Sequence, residues 1–553
     1  MKRKSALKLL CFCLCFVAVF ALLQGITSWK EKRVPFPYEK EVLGLPITAE
    51  TDFLSGKEKR TSESNPGVCF ENVLLPYDKS GLCYLSQDFE KEWVGTLSLA
   101  EDLRNDYYLC MAEDAYAEDG KKAIRDGHVY TLWMVGENHY YELGLVVSGM
   151  PVLSIQEERC EAQEKVPYEI DPDAFVYGVE EMYYGELGLW DPGMNSGQYE
   201  ILQTNVRYYL KGAVTAGMDK KSYSIKLLDK NEENLKLSLL GMGESSTWKL
   251  NSLVTDENKI REITASQIWE LFDEANTEVE QPGPKEEYVE VVLNNEYMGL
   301  YCVVMPVDED TLKLDENDVL YKVLNIDVPD EEAIWESIEN GWKIQAPIRI
   351  RYPKEISDYA LAWYPMKDWL NLFYRKQPVV YEEVASKVSL SNLADATMFL
   401  MTCSASDNNY KNSYFAARVS DVGKYRMYWH PWDLDFTFGN ICKTEETDIS
   451  VFKDNPYVVY TGREQLELIK AEPQIGQYLL ERWQEYRGSF LNTENVQQML
   501  ITNRDYLLNT GALEREKNRW PEYGINGDIE YLLKYQEERM AWLDEYFEVL
   551  AEE

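Results

Sequence analysis

The sequence predicts an α+β fold, a strand-rich lobe followed by a helical lobe, standing behind a small all-β domain. Three observations predict it. From Val68 to about Ile155, short apolar runs such as WVGTLSL, HVYTLWMV and HYYELGLVVSGMPVLSI alternate with polar turns at strand spacing. Strand signals continue from Gly185 to Val304, and from Arg463 onward the period changes to that of helices. At 553 residues the chain is long enough for more than one domain.

Taken in order, MKRKSALK is a basic flank ahead of an apolar run from Leu9 to Leu23. No A-x-A-like cleavage site follows it, so residues 1–29 read as an uncleaved single-pass membrane anchor, with a cleaved signal peptide as the alternative. The Lys and Arg before the run keep the N-terminus cytoplasmic and place the rest outside the membrane. The protein is therefore expected at the cell membrane with its ectodomain outside, or secreted or on a spore surface if the signal is cleaved. Residues 30–66, rich in Lys, Glu, Ser, Thr and Pro, read as a tether. Residues 67–165 read as an antiparallel β accessory domain, and residues 166–553 as the main domain.

With 96 acidic residues against 56 basic ones the formal charge is −40, which excludes a nucleic-acid partner and favours basic ones. In so acidic a chain a bound polyphosphate needs local cations, and Lys220, Lys221 and Lys226 form one cluster of them. Three of the ten cysteines lie in the apolar run. Of the rest, Cys69 with Cys83 or Cys110 with Cys160 are candidate disulfides, and Cys302 and Cys403 read as buried apolar residues. No Cys or His spacing matches a zinc site.

Within the main domain, Met218 to Leu228 reads as a strand whose alternation puts Lys226 on the face opposite Tyr223 and Ile225. That placement suits a lysine reaching phosphates, and equally a solvated surface lysine. Lys259 to Phe272 carries an apolar stripe at helical spacing, with Glu262 and Glu270 as candidate partners for the lysine. Tyr288 to Val304 reads as two strands about an Asn294-Asn295 turn, and LYKV at 320–323 as another strand, with Lys322 a second candidate for phosphate contact. Ile334 to Pro353 reads as irregular. Asp358 to Tyr374 and Tyr381 to Val388 read as helices, as do Arg463 to Arg487, Thr493 to Asn509 and Asp528 to Ala551.

The chemistry gathers between Leu393 and Asn440. A helix over Leu393 to Thr402 leads into a polar run, then into strands Ser413 to Arg418 and Tyr425 to Trp429 about Gly423. Asp407, Asn409 and Asn412 precede this hairpin; Asp433 and Asp435 follow it. Such hard oxygen ligands suit Mg²⁺ and phosphate. Asp407 and Asn412 stand in D-x-x-x-x-N order, that of the base and a metal ligand in a protein-kinase catalytic loop, with Asp433 where the second metal-binding Asp comes. An Asn-rich turn between helix and strand has the same spacing.

DNNYKNSYFAAR followed by HPWDLDFTFG resembles the signature of the CotH kinase family, the atypical protein kinases related to spore-coat protein H. DKKSYSIKL at 219–227, WKLNSLVTDENKIRE at 248–262 and YVEVVLNNEYMGLYCVVMPVD at 288–308 are family-like and in the family's order. The resemblance implies an atypical kinase-like two-lobed domain that uses ATP and Mg²⁺ to phosphorylate Ser or Thr of coat or secreted proteins. Asp407 would be the catalytic base, Lys226 and Lys322 the phosphate contacts, and Asn412, Asp433 and Asp435 the metal ligands. Asp435 ranks below Asp433 because the family motif puts the metal ligand in the Trp-Asp dipeptide. MPVDEDTL resembles the segment joining kinase lobes. Where family members usually carry Arg-Asn this chain has Arg261-Glu262, which leaves the glutamate partner open. The alternative from another class is an inactive coat or surface scaffold or adhesin that keeps the fold for binding; a lectin-like wall protein has only aromatic content behind it.

Overall fold

The computed structural model describes residues 41–552, apart from 49–53, 63, 89–94, 113–126, 163–180, 194–197, 213–214, 325–330, 346–347, 375–377, 409–410, 422 and 441–462. The anchor expected over residues 1–29, Asn409 and the loop after Asn440 lie outside the described residues. Among the described residues no helix is long and apolar enough to cross a membrane. The chain divides into two units, at Val147/Ser148.

In the first unit a sheet runs in the order Glu41–Val42, Leu45–Thr48, Tyr108–Ala112, Val129–Val135, His139–Ser148, Glu58–Arg60, with Leu82–Ser86 also paired to His139–Ser148. Val73–Leu74, Val68–Phe70 and Leu97–Leu99 form a second sheet. The β domain is there, but it is mixed rather than antiparallel, since Leu45–Thr48 pairs in parallel with Tyr108–Ala112 and Glu58–Arg60 with His139–Ser148. These two strands lie within the stretch expected to be tether, and Leu43, Leu45 and Leu54 in or beside them are apolar enough to be buried. Among the described residues the cysteines are free thiols: Cys69, Cys83 and Cys110 are buried in this unit, whereas Cys160 is exposed on a strand of the other.

The second unit begins earlier than position 166, because β1 (Val152–Ala162) is a stave of its barrel. It is joined by β2 (Glu181–Asp191), β3 (Glu200–Lys211), β4 (Ser222–Leu228), β5 (Thr247–Asn251), β6 (Lys285–Leu293) and β7 (Glu296–Met305). The order β1-β2-β3-β4-β5-β7-β6 closes through a parallel β6–β1 pairing; the other pairs are antiparallel. Closure leaves no edge to pair with another chain. Asn294 and Asn295 at the β6–β7 turn have φ of 53° and 58°, the left-handed values a two-residue turn demands and Asn tolerates. Inward residues including Ile155, Leu189, Ile225, Trp248, Val291 and Val303 fill the barrel, and α1 (Arg261–Ala275) packs beside it through Ile268, Trp269 and Phe272.

Beyond β7 the chain crosses to a five-stranded antiparallel sheet. It contains β8 (Val319–Val323), β9 (Ile344–Gln345), β10 (Ile348–Tyr352), β11 (Ser413–Asp421) and β12 (Lys424–Pro431), in the order β9-β10-β8-β11-β12. The stretch read as irregular therefore holds α2 (Glu331–Asn340) and two strands. Alternation along β8 divides the sheet's faces. Val319, Tyr321 and Val323 pack with Trp363, Met366 and Phe373 of α3 (Tyr359–Tyr374), while Leu320 joins the barrel-side core and Lys322 shares its face. After α4 (Tyr381–Ala385), α5 (Leu390–Thr402) runs through that barrel-side core. The helical tail comprises α6 (Arg463–Ala471), α7 (Gln474–Arg487), α8 (Thr493–Asn509), α9 (Ala512–Arg519) and α10 (Glu530–Glu552). Helix α9 escaped the sequence reading because Arg515, Glu516 and Arg519 look like a solvated face. They instead bind the barrel: Arg515 grips Glu290 at 2.7 and 2.8 Å, and Glu516 takes Lys220 Nζ and the Leu300 amide at 2.5 and 2.8 Å.

Candidate active site

Helix α5 aims the site. Its Asn392 side chain donates to Trp429 O at 3.0 Å and accepts the Trp429 amide at 2.7 Å, acting as a missing strand partner for β12. Asp395 in its next turn is fully buried and bonded by Arg482 of α7 at 2.6 and 2.9 Å, with Asn276 and Gln281 donating to the same carboxylate. A charge-assisted pair so desolvated fixes geometry more than it stabilises. The helix stops at Ser404, whose φ is 50°, and a 3-10 turn over Ser406–Asn408 presents Asp407.

Asp407 Oδ2 accepts from Asn412 Nδ2 at 2.7 Å and Oδ1 lies 2.8 Å from Lys411 Nζ. The buried Asn408 side chain donates to Asn412 O at 2.8 Å and Trp432 O at 2.6 Å, tying the turn before β11 to the turn after β12. Asn412 and Asp433 have φ of 49° and 60°, where short polar side chains are the residues most easily accepted. Asp407, Asn412, Asp433 and Asp435 consequently line one cavity of about 320 Å³, with Glu262 opposite them on the first turn of α1.

Cations enter the same cavity: Lys211 at the end of β3, Lys249 on β5, Lys322 on β8, and Arg349 and Arg351 on β10. Lys211 Nζ donates to Asn251 Oδ1 at 2.5 Å and lies 3.9 Å from Asp433 Oδ1, while Asn251 Nδ2 donates to Glu262 Oε1. Lysine and helix glutamate are thus joined through an asparagine. The Trp432 ring lies 5.3 Å from Lys211 Nζ and 5.1 Å from Lys322 Nζ.

The carboxyls crowd one another. Burial pushes Asp407 up, with Asp433 adding to the push and Lys411 and Asn412 only partly offsetting it. Asp435 is driven well up by burial, then by Asp433 and Glu262; Glu262 is driven well up by burial, Glu286 and Asp433. Glu286 on β6 is pushed up to about 8, chiefly by burial. On the opposite sign, burial beside Arg351 and Arg349 holds the Lys322 ammonium well below the usual lysine range.

Asp435 Oδ2 accepts the Thr255 hydroxyl at 2.7 Å, but Oδ1 is buried without a hydrogen-bond partner, as are both oxygens of Glu286. Orphaned buried acceptors among repelling carboxyls fit a divalent cation, whose charge would reverse each of these upward shifts. Among the described residues no three His, Cys, Asp or Glu side chains already converge tightly enough to hold an ion unaided.

A family profile described as CotH kinase protein matches residues 209–543, more than half of the chain, and spans every residue of this cavity. The chain belongs to the CotH kinase family. No curated protein matches it.

Within the CotH domain the expected residues divide. Asp407, Asn412, Asp433, Asp435 and Lys322 are brought together, and of the two candidate glutamates Glu262 enters the cavity while Glu270 does not. Lys226 is not among the lining residues. Strand alternation gave its face correctly, the face of Ser222 and Ser224, which do line the cavity, but it stands further along β4, opposite Arg207 and Thr247. Distance along a strand is invisible in a period-two pattern. None of the cation cluster Lys220, Lys221 and Lys226 lines the cavity, and Lys220 is fully buried, donating to Glu516 Oε1 and Leu300 O at 2.5 Å each. Lys211 was missed. Its cue was its place at the end of a strand, before Gly212 and at the start of the family match.

Proposed function

We propose that this CotH-family chain is a protein kinase that transfers the γ-phosphoryl group of ATP to Ser or Thr of a protein substrate. One observation carries the reading: Asp407, Asn412, Asp433 and Asp435 share a cavity with Lys211 and Lys322, although the chain as a whole carries −40. Asp407, its carboxyl fixed by Lys411 and Asn412 and made more basic by burial, receives the proton of the acceptor hydroxyl. The acceptor oxygen bonds to the γ-phosphorus as the bond from that phosphorus to the bridging oxygen breaks, and the electron pair leaves with ADP. Lys211 and Lys322 hold the phosphates in place of Lys226, and Glu262 orients Lys211 through Asn251. Asn412, Asp433 and Asp435 would hold Mg²⁺, which when bound supplies positive charge to the phosphate oxygens.

The basic flank and apolar run of residues 1–23 support a membrane-anchored chain whose kinase domain works outside the cytoplasm, and the net acidity supports a basic protein substrate. The test is incorporation of labelled γ-phosphate into a basic, Ser-rich protein in Mg²⁺. Asp407→Asn should lower the rate by about 10²- to 10⁴-fold while leaving the melting temperature near wild type. Wild-type protein that transfers no phosphate yet stays folded would overturn the proposal and leave the scaffold alternative.

A further inference from the structure

A second concavity lies at the other end of the catalytic hairpin. It encloses about 460 Å³ between the entry to β8, the start of α3 and the turn joining β11 to β12. Helix α3 buries Ala362, Trp363, Met366 and Trp369 but turns two apolar side chains outward into this groove, Leu361 at 53 % exposure and Tyr364 at 38 %. Around them stand the carboxylates of Glu316, Asp318, Glu355, Asp358 and Asp421, against Lys424, 3.7 Å from Asp421, and Arg418, 3.7 Å from Asp318. Asp318 is taken up by the Asp315 and Val419 amides and Asp358 caps the start of α3, whereas Glu316 and Glu355 face solvent.

Acidity alone would say little in this chain. Exposed large apolar residues sunk in a groove and rimmed mostly by one sign of charge are what a protein-binding surface looks like, and the rim chooses the sign of the partner. We infer that this groove docks an extended peptide segment in which Lys or Arg alternates with apolar residues, supplied by the protein acceptor. The role in phosphotransfer rests on the kinase reading; the binding itself does not. The hairpin also sets a distance. Strand β11 runs from Ser413, beside Asp407 and Asn412, to Asp421 in the groove, a span of about 27 Å at the usual rise per residue. A docked acceptor therefore needs roughly eight extended residues between the docking segment and the hydroxyl that reacts. Docking remote from the chemistry lowers KM for the acceptor and leaves kcat unchanged.

The experiment uses the full chain without nucleotide and a fluorescein-labelled peptide of alternating Arg and Leu that contains no hydroxyl residue, followed by anisotropy. Glu316→Lys with Glu355→Lys should weaken binding by about tenfold or more, as should Leu361→Ser. The same charge reversal at the exposed Glu537 and Glu548 of α10 should leave it unchanged. Failure of the peptide to bind wild type, equal binding by the groove variants, or equal binding of an Arg-Ser peptide would each overturn the inference. Because no nucleotide is present, such a failure is separate from any failure of phosphotransfer, which the groove variants should retain toward a short acceptor peptide.

Discussion

Replacing Lys211 by Met separates the lysine that the fold puts in the cavity from the lysine that the strand pattern favoured. Lys211 Nζ lies 3.9 Å from Asp433 Oδ1 and its side chain is 17 % exposed. Two unit charges at that separation interact by about 4 kcal/mol at an effective dielectric near 20. Water at the half-open Asp433 carboxylate reduces this to about 2–3 kcal/mol for a phosphate held beside the same residue. If that interaction is realised in the transition state, Lys211→Met lowers kcat/KM by about 30- to 150-fold, since each 1.36 kcal/mol is tenfold. Lys226→Met should stay within about threefold of wild type, its side chain being outside the cavity. The assay is initial-rate transfer of labelled γ-phosphate at subsaturating ATP. Lys211 is also the main cation pulling Glu286 and Glu262 down, so the variant's rate profile should shift toward higher pH. A Lys211→Met protein that keeps more than a third of its activity, or a Lys226→Met protein that falls as far, would refute the assignment.

Saturating Mg²⁺ and ATP, at about a hundred times the dissociation constant, should add about 2.7 kcal/mol to wild-type stability in thermal unfolding. Asp435→Asn should lose most of that gain, because the unpartnered Oδ1 no longer carries charge. Gly299→Ala should cost about 3 kcal/mol or more in denaturant titration. Gly299 has φ of +89°, and a Cβ there would meet Glu516 Oε2, which accepts from the Leu300 amide while Lys220 Nζ holds Oε1 of the same carboxylate. Acid should unfold the protein partly through His430, whose burial pulls it down to about 4 while Nδ1 faces Pro282 O at 2.9 Å. Below its ordinary value of 6.5 the unfolded chain takes up the proton first. The folded state therefore loses about 3 kcal/mol as pH falls from 6.5 to 4, and His430→Phe should remove that share of the acid sensitivity.

The sequence by itself determined the local parts. Period-two and period-3.6 patterns specify strands and helices before they meet, so β4, β11 and β12, the Asn294-Asn295 turn and the stripe of α1 were all readable within a few residues. Asp407, Asn412, Asp433 and Asp435 were readable too, because a single hairpin, short in sequence, carries all four to one end of itself. Only the tertiary structure decided which partners face that hairpin. Barrel closure joins β1 to β6 across more than a hundred residues, moving the domain boundary forward to 147 and setting the height of each lysine along its strand. Lys211 reaches the cavity, Lys226 stops short of it, and Lys220 is drawn into the buried pair with Glu516. Periodicity fixes the direction of a side chain, whereas its position along the strand depends on long-range register, and register is settled when the whole barrel packs.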